Sequence, residues 1–200
     1  MTRILLVPNY SLSSLKENIE QVSYFSFLEK LLELMKVKRD DIFWYVLVPK
    51  VSLKEKIFYS DIKKKLGREN FLFIELDLPS DPQNQIFIHT QALKKKLKWR
   101  DYPIDLIFCH QLDLTKKLKL FFQNETNLNP PIIGYYHLLE LPKLDWKEMF
   151  EYNILGITEM AACFVNTNFQ KQAIIEQARE IFSSSICGVL KDKLEVLPKL

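Results

Sequence analysis

Seven short apolar runs recur along the 200-residue chain, each long enough for one β-strand. They are RILLVP (3–8), IFWYVLVP (42–49), FLFIELDL (71–78), DLIFCH (105–110), PIIGYYH (131–137), ACFVN (162–166) and KLEVLP (193–198). Most are apolar on both faces, a pattern typical of parallel strands that helices cover on both sides. The residues predicted to be buried in these strands include Leu5, Val46, Phe73, Ile107, Ile133 and Phe164.

Segments with helical spacing separate the runs. The predicted helices cover about 15–35, 52–66, 81–99, a segment that starts near Asp113, 145–160 and 166–182. Strands that alternate with helices in this way build right-handed βαβ units. The predicted fold class is therefore α/β: a Rossmann-like three-layer sandwich with a mostly parallel sheet of about seven strands. No linker interrupts the pattern, so residues 1–200 are predicted to form a single domain.

The composition fits a soluble cytoplasmic protein. Hydrophobic residues make up 48% of the chain, and the formal net charge is only +3. No apolar run approaches the roughly 20 residues of a membrane span, and the N-terminus lacks a signal-peptide cleavage site. Cys109, Cys163 and Cys187 are odd in number and form no CxxC pair, which predicts reduced thiols and no metal site.

Ligands of open α/β sheets bind outside the carboxyl ends of the strands. Two of the three histidines, His110 and His137, fall at such ends, whereas His89 lies inside a predicted helix. A single histidine at a strand end is as readily explained by packing as by chemistry. Two on one edge favour a functional role, and both interpretations stay open.

Several classes of function are disfavoured by motifs that the sequence lacks. None of its four glycines follows the first strand, and they form neither GxGxxG nor GxxxxGK[ST]. A dinucleotide cofactor or a P-loop nucleotide is therefore not expected, and no cofactor is predicted. The sequence also has no GxSxG elbow, which disfavours a serine hydrolase.

Two basic runs, KKKLGR (63–68) and KKKLKWR (94–100), suit a nucleic-acid or membrane surface. Each occupies the last turn of a predicted helix, where a cation offsets the helix dipole by about 0.3–1 kcal/mol. Because such helix ends lie opposite the carboxyl ends of the strands, solvated helix ends are the preferred interpretation. Peripheral membrane contact and RNA contact stay open as alternatives.

The run EYNILGITEMAACFVNTNFQKQAIIEQAREIF (151–182), followed by DKLEVLP (192–198), resembles the end of the N-terminal half of a GT-B glycosyltransferase of the family 4 type. In that family a helix leads into a strand of the A-x-x-F-V-N-T/S kind, and a helix beginning xFQKQ follows. The string IIGYYH is similar to the family strand that ends in a histidine in the interdomain cleft. A second similarity, in YYHLLELP and FVNTNF, is to queuosine-tRNA mannosyltransferase-like members.

The resemblance implies the acceptor-binding half of a nucleotide-sugar-dependent hexosyltransferase, inactive without a C-terminal domain that binds the nucleotide-sugar donor. It implies a sugar acceptor of unknown type, and metal is not usually needed in this fold. His137 is implied as the catalytic residue, acting as a base or as a hydrogen-bond partner of the transferred sugar. The implied acceptor-binding residues are Asn9, Tyr10, Ser11, His110, Glu140, Asn166 and Thr167.

Some of these residues have a structural alternative. Glu140 suits a solvated loop charge, and Asn166–Thr167 suit a helix cap. Asn9 and Ser11 are ordinary turn and cap residues. The loop after strand one, PNYSLSS, also departs from the family because it carries no glycine. For the whole chain, the rival hypothesis is a non-enzymatic Rossmann-like module that binds a ligand or a protein at the same edge.

Overall fold

A computed structural model describes residues 1–7, 41–49, 71–76, 94, 103–126, 128–136 and 147–197. Its contacts separate the chain into two compact units, Met1–Leu106 and Ile107–Leu200. The described residues include seven strands, and the strand pairings described within each unit are parallel. The α/β, Rossmann-like fold class is therefore confirmed. A single domain over residues 1–200 stays a prediction.

The first unit contains three parallel strands in the order β3-β2-β1. They are β1 (Thr2–Val7), β2 (Ile42–Pro49) and β3 (Phe71–Leu76). Leu5 pairs with Tyr45 in this register. Residues 4–7 are all buried, so β1 is covered on both faces, as its apolar run predicts. At the start of β1, the carbonyl of Arg3 accepts a hydrogen bond from the N–H of Asp105 over 2.9 Å.

The second unit contains the strands in the order β4-β5-β6-β7, and β4 starts at the boundary between the units. Its elements are β4 (Leu106–Cys109), a 3₁₀ turn (Leu112–Leu114), α1 (Thr115–Thr126), β5 (Ile132–Tyr135), α2 (Lys147–Thr158), β6 (Ala162–Val165), α3 (Asn168–Arg179), α4 (Ser184–Lys193) and β7 (Leu194–Val196). Among the helices of the described ranges, none is both long enough and apolar enough to cross a bilayer.

The strand predictions are confirmed in all seven positions, and α1 to α3 confirm the last three predicted helices. Helix α4 was not predicted from the sequence. Its run, SSSICGVLKDK, combines three serines with Gly188, and only Cys187 and Leu190 of the helix are buried. The three earlier predicted helices and both basic runs lie outside the described residues, apart from the exposed Lys94.

The predicted core is confirmed in part. Leu5, Val46 and Ile107 are fully buried, whereas Ile133 and Phe164 are half-buried. The side chain of Phe73 lies outside the part of the chain that the structure describes. The expectation of complete burial is therefore wrong for Ile133 and Phe164.

The difference arises because the two faces of β4 to β6 are not covered equally. Gly134 pairs in register with Cys109 on one side and Cys163 on the other, and both cysteines are fully buried. A Cβ on Gly134 would lie 2.5 Å from the sulfur of Met160, which lies two residues after the end of α2. The fully buried face is thus the α2 side, and the two half-buried residues point to the other face.

Helix α2 approaches the 3₁₀ turn so closely that residue 156 has no room for a side chain. A Cβ built on Gly156 would lie 1.9 Å from the carbonyl oxygen of Leu112 and 2.7 Å from its carbonyl carbon. Both atoms belong to the backbone, so neither can rotate away. By contrast, a Cβ on Gly188 in α4 meets no atom of the described structure within 4 Å.

We expect Gly156→Ala to lower the free energy of unfolding by about 1–3 kcal/mol, because overpacking forces the backbone of α2 away from the turn. The matched control, Gly188→Ala, should raise it by about 0.5–1 kcal/mol, because alanine restricts the unfolded chain and favours the helix. Urea unfolding followed by circular dichroism measures both. Equal effects of the two substitutions would contradict the close approach of α2 to the turn.

Candidate functional site

Three of the eight predicted site residues lie in the described part of the chain, and each directly follows a strand of the second unit. His110 follows β4, and Asn166 and Thr167 follow β6. Because these strands are parallel, all three lie at the carboxyl edge that the sequence identified. The residues that lie outside the described part, and whose roles stay predictions, are Asn9, Tyr10, Ser11, His137 and Glu140.

Tyr135, the last residue of β5, links His110 to Asn166. Its hydroxyl donates a hydrogen bond to Oδ1 of Asn166, and its ring centroid lies 6.0 Å from that of His110. The imidazole also packs against Phe108, with 4.5 Å between ring centroids. Side chains therefore connect the ends of three neighbouring strands.

His110 is only 3% exposed. A residue that binds an acceptor must present a polar atom to solvent or to a cavity, and aromatic rings pack against this imidazole instead. The burial favours the packing interpretation of His110 over the acceptor-binding one. Its contact with an acceptor stays a prediction.

Thr167 caps helix α3, which confirms the structural alternative for this residue. Its backbone is extended, with φ −145° and ψ 156°, and its Oγ1 accepts the N–H of Gln170 over 3.0 Å. The pattern T-x-x-Q is that of a capping box. The Gln170 side chain departs from that motif, because its Oε1 accepts the N–H of Asn166 rather than that of Thr167, over 2.8 Å.

Gln170 also reaches across to the end of β5. Its Nε2 donates a hydrogen bond to the carbonyl oxygen of Tyr136 over 2.9 Å, and the residue is only 1% exposed. The N–H of Tyr136 donates to the carbonyl of Phe164 over 2.9 Å. Both backbone polar groups of Tyr136 are thus bonded, and this residue is bonded covalently to His137.

The four residues from Asn166 to Phe169 form an exposed strip at this edge. Phe169 is 74% exposed, the largest exposed fraction among the described large hydrophobic residues. The strip therefore offers the amides of Asn166 and Asn168, one hydroxyl and one aromatic face to solvent.

A carboxyl group lies close to the same edge, after β4. Burial raises the pKa of Asp113 to about 6, although its own N–H, the Gln111 side chain, the N–H of Leu114 and the charge of Lys117 all act to lower it. Its Oδ2 is buried with no hydrogen-bond partner among the described residues. Burial therefore favours the protonated form of this carboxyl up to a higher pH than in an ordinary aspartate.

We expect Asp113→Asn to change how stability depends on pH. The folded pKa lies above the ordinary value of 3.8, so between about pH 4 and 6 the folded protein holds a proton that the unfolded chain releases. Wild-type stability should therefore fall as the pH rises through this window, by roughly 2–3 kcal/mol relative to Asp113→Asn.

Urea unfolding at pH 3.5, 5 and 7 measures this difference. Asp192→Asn, which removes an exposed carboxyl of α4, controls for the change in charge. If the free energy of unfolding depends on pH in the same way in both variants, the result would contradict the burial of the Asp113 carboxyl.

Other buried groups near the edge are unsuited to nucleophilic chemistry. Burial raises the pKa of the Cys109 thiol far above its usual range, and that of Cys163 to about 12. Burial also raises the pKa of Tyr136 to about 12, and its hydroxyl bonds to Asn153 of α2. All three cysteines are free and buried, and their reduced state stays a prediction. Within the described ranges, no three His, Cys, Asp or Glu side chains group as metal ligands.

Sequence reasoning missed four residues of this edge: Tyr135, Gln170, Phe169 and Asp113. Tyr135 was read only as part of an apolar run. The T-x-x-Q pattern could have identified Gln170, because a capping box places that residue beside the preceding strand end. Asp113 follows β4 by four residues, close enough to the edge to have been considered with His110.

Comparison with known proteins shows similarity to solved structures but no match in sequence. No family model matches the chain, and no curated protein is similar enough in sequence to match. All of the chain aligns with 49% of Arabidopsis thaliana UGT89C1 complexed with UDP, at a TM-score of 0.54 and 11% identity. Similarly, 88% of the chain aligns with 51% of LpCGTa in complex with UDP, at a TM-score of 0.52 and 10% identity.

The chain spans about half the length of these two structures. At such low identities the similarity concerns the fold alone, which is Rossmann-like α/β. It does not test the resemblance to the family 4 type.

Proposed function

We propose that this chain is the acceptor-binding half of a GT-B glycosyltransferase that uses a nucleotide-sugar donor. The observation that carries the proposal is that 100% and 88% of the chain align with about half of two structures that hold UDP. A cleft between two halves needs both of them, so the chain alone would be inactive. The donor would bind mainly to a C-terminal domain.

The chemistry of the described edge supports an acceptor role. Its exposed groups are the amides of Asn166 and Asn168, the hydroxyl of Thr167 and the ring of Phe169. Amides and hydroxyls bond to sugar hydroxyls, and an aromatic ring packs against the apolar face of a sugar ring. Asp113 adds a carboxyl nearby, which would repel an anionic ligand when ionised. These groups suit a neutral, hydroxyl-bearing acceptor better than a diphosphate.

In the proposed reaction, an acceptor hydroxyl attacks the anomeric carbon of the donor sugar. A carbon–oxygen bond to the acceptor forms, the bond to the diphosphate breaks, and the nucleoside diphosphate leaves. His137 takes the proton of the attacking hydroxyl as general base. Basic groups and helix N-termini of the second half would stabilise the leaving diphosphate.

Two further parts of the proposal rest on the sequence alone. The family 4 type rests on the strings FVNTNFQKQ and IIGYYH. A cytoplasmic location rests on the composition and on three cysteines that form no CxxC pair.

We expect His137→Ala in the complete protein to lower kcat roughly 10²–10⁴-fold, the usual contribution of a general base. The measurement is release of nucleoside diphosphate from UDP- and GDP-sugars offered with a panel of hydroxyl acceptors. His89→Ala, at a histidine predicted to lie in a helix, is the matched control and should retain the wild-type rate.

The 200-residue chain alone should release no diphosphate under the same conditions. Robust turnover by this chain would contradict its role as half of an enzyme. A complete protein that binds no nucleotide sugar would favour the non-enzymatic binding module instead.

A further inference from the structure

The side-chain amide of Gln170 occupies the place of a backbone hydrogen bond between β5 and β6. In the parallel register Tyr135 pairs with Phe164, and the N–H of Tyr136 donates to the carbonyl of Phe164. If the parallel ladder continued beyond this bond, the N–H of Asn166 would donate the next hydrogen bond to the carbonyl of Tyr136. In the structure both of these groups bond to Gln170 instead.

An amide side chain suits this position because it has a donor and an acceptor side by side. Nε2 donates to Tyr136 over 2.9 Å, and Oε1 accepts from Asn166 over 2.8 Å. Both backbone groups therefore remain satisfied although the strands separate. The carbonyl that Gln170 holds belongs to Tyr136, the residue that precedes His137 in the chain.

We propose that Gln170 is a positioning residue for His137. Its side chain replaces the last backbone hydrogen bond between β5 and β6 with two bonds of its own, and it holds the carbonyl of Tyr136, the residue bonded to His137. The Thr167 cap holds the Gln170 backbone over 3.0 Å, so the amide is anchored at the start of α3. Its burial, at 1% exposure, keeps water from competing for either bond. The catalytic part of the inference rests on the proposed function, whereas the positioning part does not.

Two substitutions separate the two bonds. Gln170→Glu keeps an acceptor for Asn166 but, when ionised, faces the carbonyl of Tyr136 with a second acceptor. Gln170→Met keeps the volume, removes both bonds and buries no charge, so it tests the proposal where the first variant fails to fold. Gln172→Glu makes the same chemical change two residues along α3, at an exposed position, and is the matched control.

The first readout needs no enzymatic activity. In protein labelled at the histidine ring carbons, the signal of His137 should move in Gln170→Glu and in Gln170→Met but not in Gln172→Glu, and that of His89 should stay in place. Assignment uses single histidine substitutions. A His137 signal that superimposes on wild type in both variants at residue 170 would overturn the proposal, whatever the protein catalyses.

A pH series adds a rescue. Burial raises the pKa of an introduced carboxyl, and its protonated form again has a donor and an acceptor. The distance between the His137 signals of Gln170→Glu and wild type, compared at the same pH, should therefore shrink on acidification. The corresponding distance for Gln170→Met should not shrink. If the distance from the wild-type His137 signal does not change with pH in either variant, Gln170 has only a packing role. That result would overturn positioning through the two hydrogen bonds.

The second readout is kinetic, in the complete protein. Gln170→Met should lower kcat about 10–10²-fold with KM within about threefold, because a displaced catalytic group mainly affects the chemical step. A shifted His137 signal with unchanged kcat would overturn the catalytic part. A shifted signal in a protein whose wild type shows no turnover would overturn the proposed function and leave the positioning intact.

Discussion

The parallel register of β4 to β7 is the constraint on which the site depends. Phe108 pairs with Ile133, Tyr135 with Phe164, and Val165 with Val196, so the strands end together at one edge. Within the sheet, backbone groups are used by neighbouring strands, and only beyond the strand ends are they available to side chains or ligands. A slip by one residue would turn Tyr135 to the other face and separate it from Asn166.

The sequence predicted strands well and side-chain networks poorly, for a physical reason. A strand buried on both faces needs a continuous apolar run, which is visible in a single segment such as 42–49. The link between Tyr135 and Asn166 joins residues 31 positions apart, and no local pattern records it. The half-burial of Ile133 follows in the same way from what covers each face of the sheet.

Helix α4 shows a second limit of local patterns. Its apolar stripe is short, since only Cys187 and Leu190 are buried, and Gly188 lowers its intrinsic helix propensity. Packing against α2 and α3 stabilises the helix instead, and the helix leads the chain into β7.

For the candidate site residues, what could be predicted from the sequence depended on the type of interaction. The helix cap at Thr167 was recognisable because capping is local, whereas the buried state of His110 depends on Phe108 and Tyr135.

The charge distribution at the edge bears on which half of a transferase this chain could be. A leaving diphosphate carries about two negative charges, and its stabilisation needs fixed cations or several free N–H groups in a water-poor site. The described edge instead combines an exposed amide and hydroxyl with Asp113, whose charge Lys117 only partly offsets. Such an edge can orient a neutral hydroxyl and a nearby base, but it offers little to the leaving group. Under the proposed function, these described groups support the acceptor side, independently of the alignment with half of two larger structures.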